Sequence, residues 1–236
     1  ELFFKKAGIH KENIQKIIDN SLNNMDDGEL FLEASQSESF SFDDGVLKNA
    51  NFNSDMGFGL RSILGERCGY AHSSEMSEEA IKRAAQTVTA IEKGYEGKIN
   101  LDINPQNTNL HLYSDENPLQ QIEFATKTAL LAEIDAYLRA KNSLVKQVSV
   151  SISGEWQAVQ IIRAGGFATG DIRPLVRLNI SVIVEKDGRM ERGSYGMGGR
   201  EGYGEFIKQE VWQNAADETL RQALVNLGSI PAPAGE

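Results

Sequence analysis

The sequence predicts an α+β fold in which helices flank antiparallel meanders. Three observations lead there. Apolar residues recur with a period of two from Leu30 onward and again from Val148, the spacing of half-buried strands. Hairpin signals at Asp43-Asp44-Gly45, Leu64-Gly65-Glu66 and Asp187-Gly188 separate those runs. Segments whose apolar residues stand three and four apart, the helical spacing, precede and follow each set of strands.

Residues 11–24 predict an opening helix, with Ile14, Ile17, Ile18 and Leu22 on one face. After Asp26-Asp27-Gly28, Leu30, Leu32 and Ala34 alternate with Phe31, Glu33 and Ser35, and Phe40 and Phe42 continue the even series. Val46 to Phe52 returns as a second strand, Met56 to Ile63 makes a third, and Arg67 to Ser73 a fourth. Ser77 caps a helix expected to reach Lys93, with Glu78 and Glu79 near the positive end of its dipole. Residues 95–116 are polar, contain Pro105 and read as a connector. Asn117-Pro118 then opens a helix expected to run unbroken to about Lys141.

The second half follows the same order. Val148, Val150 and Ile152 alternate with serines, and Gly154-Glu155 is expected to turn the chain into a strand from Gln157 to Arg163. Leu178, Ile180, Val182 and Val184 mark the most regular strand, followed by Arg189 to Tyr195. A last helix, about Lys208 to Leu227, ends at Gly228. The order predicts two similar helix–meander–helix units, residues 1–94 and 117–228, related by an internal duplication. Pro231, Pro233 and Gly235 mark 229–236 as a linker, and the chain reads as a piece of a longer protein.

The 236 residues suffice for one large or two modest domains, and the 40% apolar and 25% charged fractions are those of an ordinary soluble protein. No run approaches the roughly 20 apolar residues of a bilayer span, so no membrane partner is expected. The single cysteine excludes an internal disulfide and fits a reducing, cytoplasmic setting. A net charge of −10 without any basic run argues against direct nucleic-acid binding.

Four signals invite a chemical reading. Cys68, His72 and Glu75 lie close in sequence, but on a strand residues four apart are about 13 Å apart, too far for a dyad. Cys68, Tyr70 and His72 are therefore expected to form a packing stripe, with Glu75 in the turn before a helix. Gly165-Gly166-Phe167-Ala168-Thr169-Gly170 has phosphate-loop spacing, but Asp171 stands where a lysine is required. His10, His72 and His111 are scattered, no HExxH exists, and no metal or catalytic residue is assigned. The cluster Gly193, Gly196, Gly198, Gly199, Gly202, Gly204 reads as a flexible loop. The glycine-spaced strands at Gly57, Gly59 and Arg61 and at Gly165 and Gly166 are the candidate peptide-binding residues, where an extended chain could add as a strand.

Two long strings carry a resemblance. DDGVLKNANFNSDMGFGLRSILGERCGYAHSSEMS resembles the amino-terminal domain of the TldD/PmbA family, also called the modulator-of-DNA-gyrase family. RAGGFATGDIRPLVRLNISVIVEKDGRMERGSYGMGGREGYGEF is similar to its TldD branch, and LVNLGSIPAPAGE resembles the approach to that family's carboxy-terminal domain. The resemblance implies a zinc metallopeptidase that degrades unfolded peptides, paired with a PmbA-like subunit or a second copy of itself. It places zinc on an HExxxH helix and a later cysteine in the carboxy-terminal domain; that motif is absent here, and Cys68 does not match the ligand cysteine. The chain is thus expected to be a non-catalytic, cofactor-free part that guides substrate, helps enclose a chamber and contributes to dimerisation. The alternative is a standalone binding module regulating a protein such as gyrase or a toxin–antitoxin system.

Overall fold

The computed structural model describes residues 2–5, 8–95, 112–233 and 235. Residues 96–111, which hold most of the predicted connector together with Pro105 and His111, lie outside the described residues. The elements are α1 (Leu2–Lys5), α2 (Lys11–Leu22), β1 (Asp27–Asp43), β2 (Val46–Leu64), β3 (Arg67–Ser73), α3 (Glu78–Thr89), α4 (Phe124–Lys141), β4 (Val145–Arg163), β5 (Ala168–Lys186), β6 (Arg189–Gly199) and α5 (Gln209–Leu227). The strands form a six-stranded antiparallel sheet in the order β3-β2-β1-β4-β5-β6, and with the helices they make the predicted α+β class. No helix among the described residues is long and apolar enough to cross a membrane.

Among the described residues each half holds three strands where the sequence predicts four, because two predicted strands merge into one long one. β2 runs straight through Asn53-Ser54-Asp55, and β4 through Gly154-Glu155. The turns that do form have left-handed backbone, at Asp44 and Gly45 (φ 48° and 76°), Gly65 (φ 59°), and Asp187 and Gly188 (φ 53° and 81°). Polar residues and a glycine without that conformation do not reverse the chain. The helix expected from Asn117 is also divided. Asn117 Oδ1 accepts a 3.0 Å hydrogen bond from Leu119 N and caps a 3₁₀ turn at Pro118–Gln120, while α4 begins only at Phe124.

Two compact units emerge, neither continuous in sequence: Glu1–Gln36, Ser54–Leu112 and Gln157–Ile172 form the first, and Ser37–Asn53, Tyr113–Trp156 and Arg173–Glu236 the second. The first buries Ile14, Ile18 and Leu22 of α2, Ala80, Ile81, Ala84 and Val88 of α3, and the sheet residues Leu30, Leu32, Phe58 and Leu60. The helical periodicity of α2 and α3 and the strand alternation of β1 each direct one apolar face inward. Ser62 Oγ donates a 2.8 Å hydrogen bond to the Val88 carbonyl, fixing the end of α3 on the sheet. Gly69, the buried residue of β3, has no side chain to obstruct this approach.

The alternation in β3 therefore corrects one expectation. Cys68, Tyr70 and His72 share a face as predicted, but that face is exposed, with Tyr70 at 63%. The buried side of the strand belongs to Gly69, which meets α3. Tyr70 and His72 stack loosely, with ring centroids 5.9 Å apart.

In the second unit, α4 and α5 cover one sheet face. Leu131, Ile134 and Leu138 of α4 and Trp212, Ala216 and Ala223 of α5 pack on Phe40, Val148, Val150, Leu178, Ile180 and Val182. Gly193 lets α5 lie close on β6, because a Cβ there would run into the Thr219 carbonyl. The opposite face is polar, lined by serine, asparagine, aspartate and arginine side chains on alternate strand positions.

Candidate peptide-binding surface

The predicted peptide-binding residues occupy two settings in the first unit. Gly59 and Arg61 pair with His72 and Tyr70 across the β2–β3 ladder, so their strand edge is already taken by β3. A Cβ at Gly57 would meet the Ser73 carbonyl at 2.9 Å, and one at Gly59 the Tyr70 hydroxyl at 2.8 Å. Arg61 is held by Glu29 at 2.8 Å, while its buried Nε finds no partner among the described residues. Gly165 and Gly166 do not lie on a strand. They form a 3₁₀ turn with φ 82° and 86°, and the Gly165 amide donates to Asp19 Oδ1 at 2.9 Å.

A strand edge without a neighbouring strand among the described residues lies instead on β6, in the second unit. β6 ends the sheet and, among the described residues, pairs with β5 alone, from Val176↔Gly199 to Lys186↔Arg189. Two side chains of α5 reach round to its outer edge: Asn226 Nδ2 donates to the Arg192 carbonyl at 3.2 Å, and Gln222 Oε1 accepts from the Ser194 amide at 3.4 Å. The N–H and C=O groups of residues 192 and 194 therefore point away from β5. Strand parity sends those of Gly196 and Gly198 off the same edge. Neither finds a partner there among the described residues, and neither carries a side chain that would keep another strand away. The predicted flexible loop is thus ordered strand as far as Gly199.

A buried polar cluster fixes the chain just beyond this edge. Tyr203 sits in a single 3₁₀ turn, fully buried, and its hydroxyl donates a 2.8 Å hydrogen bond to Glu38 Oε1. Lys127 Nζ forms an ion pair with the same oxygen and donates to the Leu119 carbonyl at 3.2 Å. Its ammonium lies 4.9 Å from the centre of the Tyr203 ring and 5.8 Å from that of Phe40. Burial drives the Tyr203 phenol far above its ordinary pKa, and the neighbouring Glu38 carboxylate pushes it further. Gly154 completes the arrangement, since a Cβ there would occupy the space of the Tyr203 hydroxyl. A carboxylate and an ammonium buried together persist because each satisfies the other.

None of Glu38, Lys127 and Tyr203 was singled out from the sequence, yet two carried a signal. Glu38 is in phase with Leu30, Leu32, Phe40 and Phe42 on the inward side of β1. Lys127 is in helical phase with Leu131, Ile134 and Leu138. A charged residue on a buried face needs a partner, and these two are each other's.

Among the described residues no group of three or more His, Cys, Asp or Glu side chains could hold a metal ion. The polar contact of Cys68 Sγ is with the neighbouring Gly69 carbonyl, at 3.9 Å.

Known proteins resemble the chain along nearly its whole length. Residues 117–227 match the PmbA/TldA metallopeptidase central domain, and residues 28–92 match PmbA/TldA metallopeptidase domain 1. The metalloprotease TldD homolog of Haemophilus influenzae is 37% identical over 220 residues, covering 90% of this chain and 45% of that protein. The homolog from Buchnera aphidicola subsp. Schizaphis graminum is 31% identical over 234 residues, covering 96% of this chain and 48% of its own. The chain thus spans about half the length of these relatives. Among solved structures, TldE from Thermococcus kodakarensis superposes with a TM-score of 0.70 at 14% identity, covering 93% of this chain and 49% of that one. At that identity the likeness is one of fold.

Proposed function

The chain belongs to the PmbA/TldD metallopeptidase family, and we propose that it is a non-catalytic, peptide-guiding part of such an enzyme. Zinc and its ligands are supplied by residues outside this chain, where the zinc would polarise the scissile carbonyl and activate water. The chain's own task is to hold an extended substrate. A subunit of the PmbA or TldE kind, or a second copy, is the proposed partner with which it encloses a chamber.

The observation that carries this reading is the open edge of β6 at Gly196 and Gly198. A peptide added there would gain main-chain hydrogen bonds that ignore its side chains, which suits unfolded substrates of mixed sequence. Natural sheets blunt an edge with lysine, proline or bulges, and glycine does none of these.

Hydrogen exchange of the intact protein with a carboxymethylated, unfolded polypeptide tests the reading. The amides of Gly196 and Gly198 are expected to gain protection. Gly196→Pro removes an outward N–H and no ladder bond, so it abolishes that protection while the fold persists. A folded Gly196→Pro protein that binds the polypeptide unchanged overturns the proposal.

A further inference from the structure

One arginine reaches toward the outer strand β6 across the polar face of the second unit. In the β5–β6 ladder Arg177 stands opposite Gly198, and Asn179 stands opposite Gly196. Arg177 Nε donates to Asn179 Oδ1 at 2.8 Å, which turns the guanidinium along β5 toward residue 196. Its Nη2 lies 3.1 Å from the point that a Cβ on Gly196 would occupy, and Asn179 Oδ1 lies 2.9 Å from the same point. Glycine at 196 therefore lets the guanidinium lie over the edge strand. Arg177 is exposed, and among the described residues its terminal nitrogens meet no carboxylate.

The geometry of the edge gives that guanidinium a target. Gly196 directs its N–H and C=O outward, so an antiparallel strand added there sets one residue directly opposite it. The pair exchanges both hydrogen bonds at a Cα separation of about 5.5 Å. Opposed side chains leave on the same face of a sheet, with Cβ atoms about 4.5–5.5 Å apart. That face is the polar one, since Arg192, in phase with Gly196, bonds Ser181 there while Gly193 meets α5. The side chain opposite Gly196 thus emerges beside Arg177 Nη2 with no β6 side chain between them. A carboxylate at that position gains a charge-assisted hydrogen bond, a lysine is repelled, and a neutral residue keeps only the main-chain bonds. In a chain of net charge −10 the arginine also offsets the general repulsion of acidic segments.

We propose that Arg177 is a specificity-determining residue that selects extended peptides with an aspartate or glutamate opposite Gly196. The inference rests on the reading of the β6 edge as the place where an unfolded peptide adds, and it names the class of peptide favoured there. Main-chain pairing at Gly196 and Gly198 supplies affinity for any sequence. Arg177 supplies register, because only alignments that bring an acidic side chain to it gain the ion pair.

Titration of the intact protein with end-blocked heptapeptides of threonine, carrying glutamate, glutamine or lysine at the centre, tests it. The readout is the peptide concentration that half-protects the Gly196 and Gly198 amides from hydrogen exchange. Glutamate is expected to act at about two- to fivefold lower concentration than glutamine, the range of an exposed ion pair, with lysine the weakest. The glutamate advantage should shrink at high salt. Arg177→Gln should leave the glutamine peptide unchanged and remove that advantage, with Arg177→Lys keeping part of it. Equal action of the three peptides on the wild-type protein, or none by any, overturns the proposal, as does an advantage that survives Arg177→Gln. If the unfolded polypeptide still protects Gly196 and Gly198 in that event, Arg177 alone is misassigned. If that protection is missing as well, the β6-edge reading falls with it.

Discussion

The phenol of Tyr203 donates a 2.8 Å hydrogen bond to the carboxylate of Glu38, 165 residues earlier in the chain, at a place closed to solvent. One contact thus ties the segment after the edge strand β6 to the middle of β1. Tyr203→Phe keeps the ring over Lys127 and removes only the donor. The expected loss is about 1.5–3 kcal/mol, the range for a hydrogen bond to a charged group. The pH dependence has a definite sign. The folded phenol titrates above its ordinary value of 10.0, so its contribution is complete below pH 10 and is lost as pH rises beyond it. Urea unfolding should show wild type ahead of Tyr203→Phe at pH 8, with the gap narrowing at about pH 11.

Lys127 is the more severe test of the same cluster. Lys127→Met leaves the Glu38 carboxylate buried without its cation, and a loss of about 3–5 kcal/mol is expected. Adding Glu38→Gln removes the stranded charge yet preserves an acceptor for Tyr203. The double variant should recover most of the stability in urea titration. A double variant no more stable than Lys127→Met would show that the Glu38 charge is not what the lysine balances.

Gly154 owes its identity to Tyr203 and to no turn. Gly154→Ala places a methyl where the hydroxyl now lies, with Leu119 Cδ2 a further 3.0 Å neighbour, and should cost about 1–3 kcal/mol by overpacking. In a Tyr203→Phe background the same substitution should cost less, because the atom it strikes first is gone. Equal costs in both backgrounds would place the strain elsewhere, and a thermal-unfolding cycle of the four proteins measures the difference.

These residues also mark how far the sequence can be read. Even-numbered apolar residues of β1 and the 3.6-residue period of α2, α3 and α5 place most of the core, because one-sided burial imposes its own spacing. Asp44-Gly45 and Asp187-Gly188 turn where expected, since both positions need a left-handed backbone that few residues tolerate. Gly154 is misread as a turn because glycine serves two needs, conformational freedom and close approach, and only the location of Tyr203 separates them. Gly57 and Gly59 raise the same ambiguity, with carbonyl and hydroxyl neighbours from β3. The open edge of β6 was not legible at all. Which strand ends a sheet depends on the pairing order of all six, and no local pattern encodes that order.

Asp43 supplies a test of the polar face that does not depend on any ligand. Hydrogen bonds from Ser149 first, then Gln147, hold its carboxyl below the usual value of 3.8, and the charges of Lys48 and Arg139 act in the same direction. A carboxyl depressed by folding stabilises the protein above its unfolded pKa, and that contribution disappears as pH falls through the folded one. Ser149→Ala removes the largest cause and should raise the Asp43 midpoint, followed by the side-chain carboxyl carbon signal in an acid titration. The stability gap between wild type and Ser149→Ala should be present at neutral pH and shrink below about pH 4, as both carboxyls become protonated. A midpoint that does not move would mean that the Ser149 hydroxyl donates elsewhere in solution, leaving the polar face arranged differently from the geometry described.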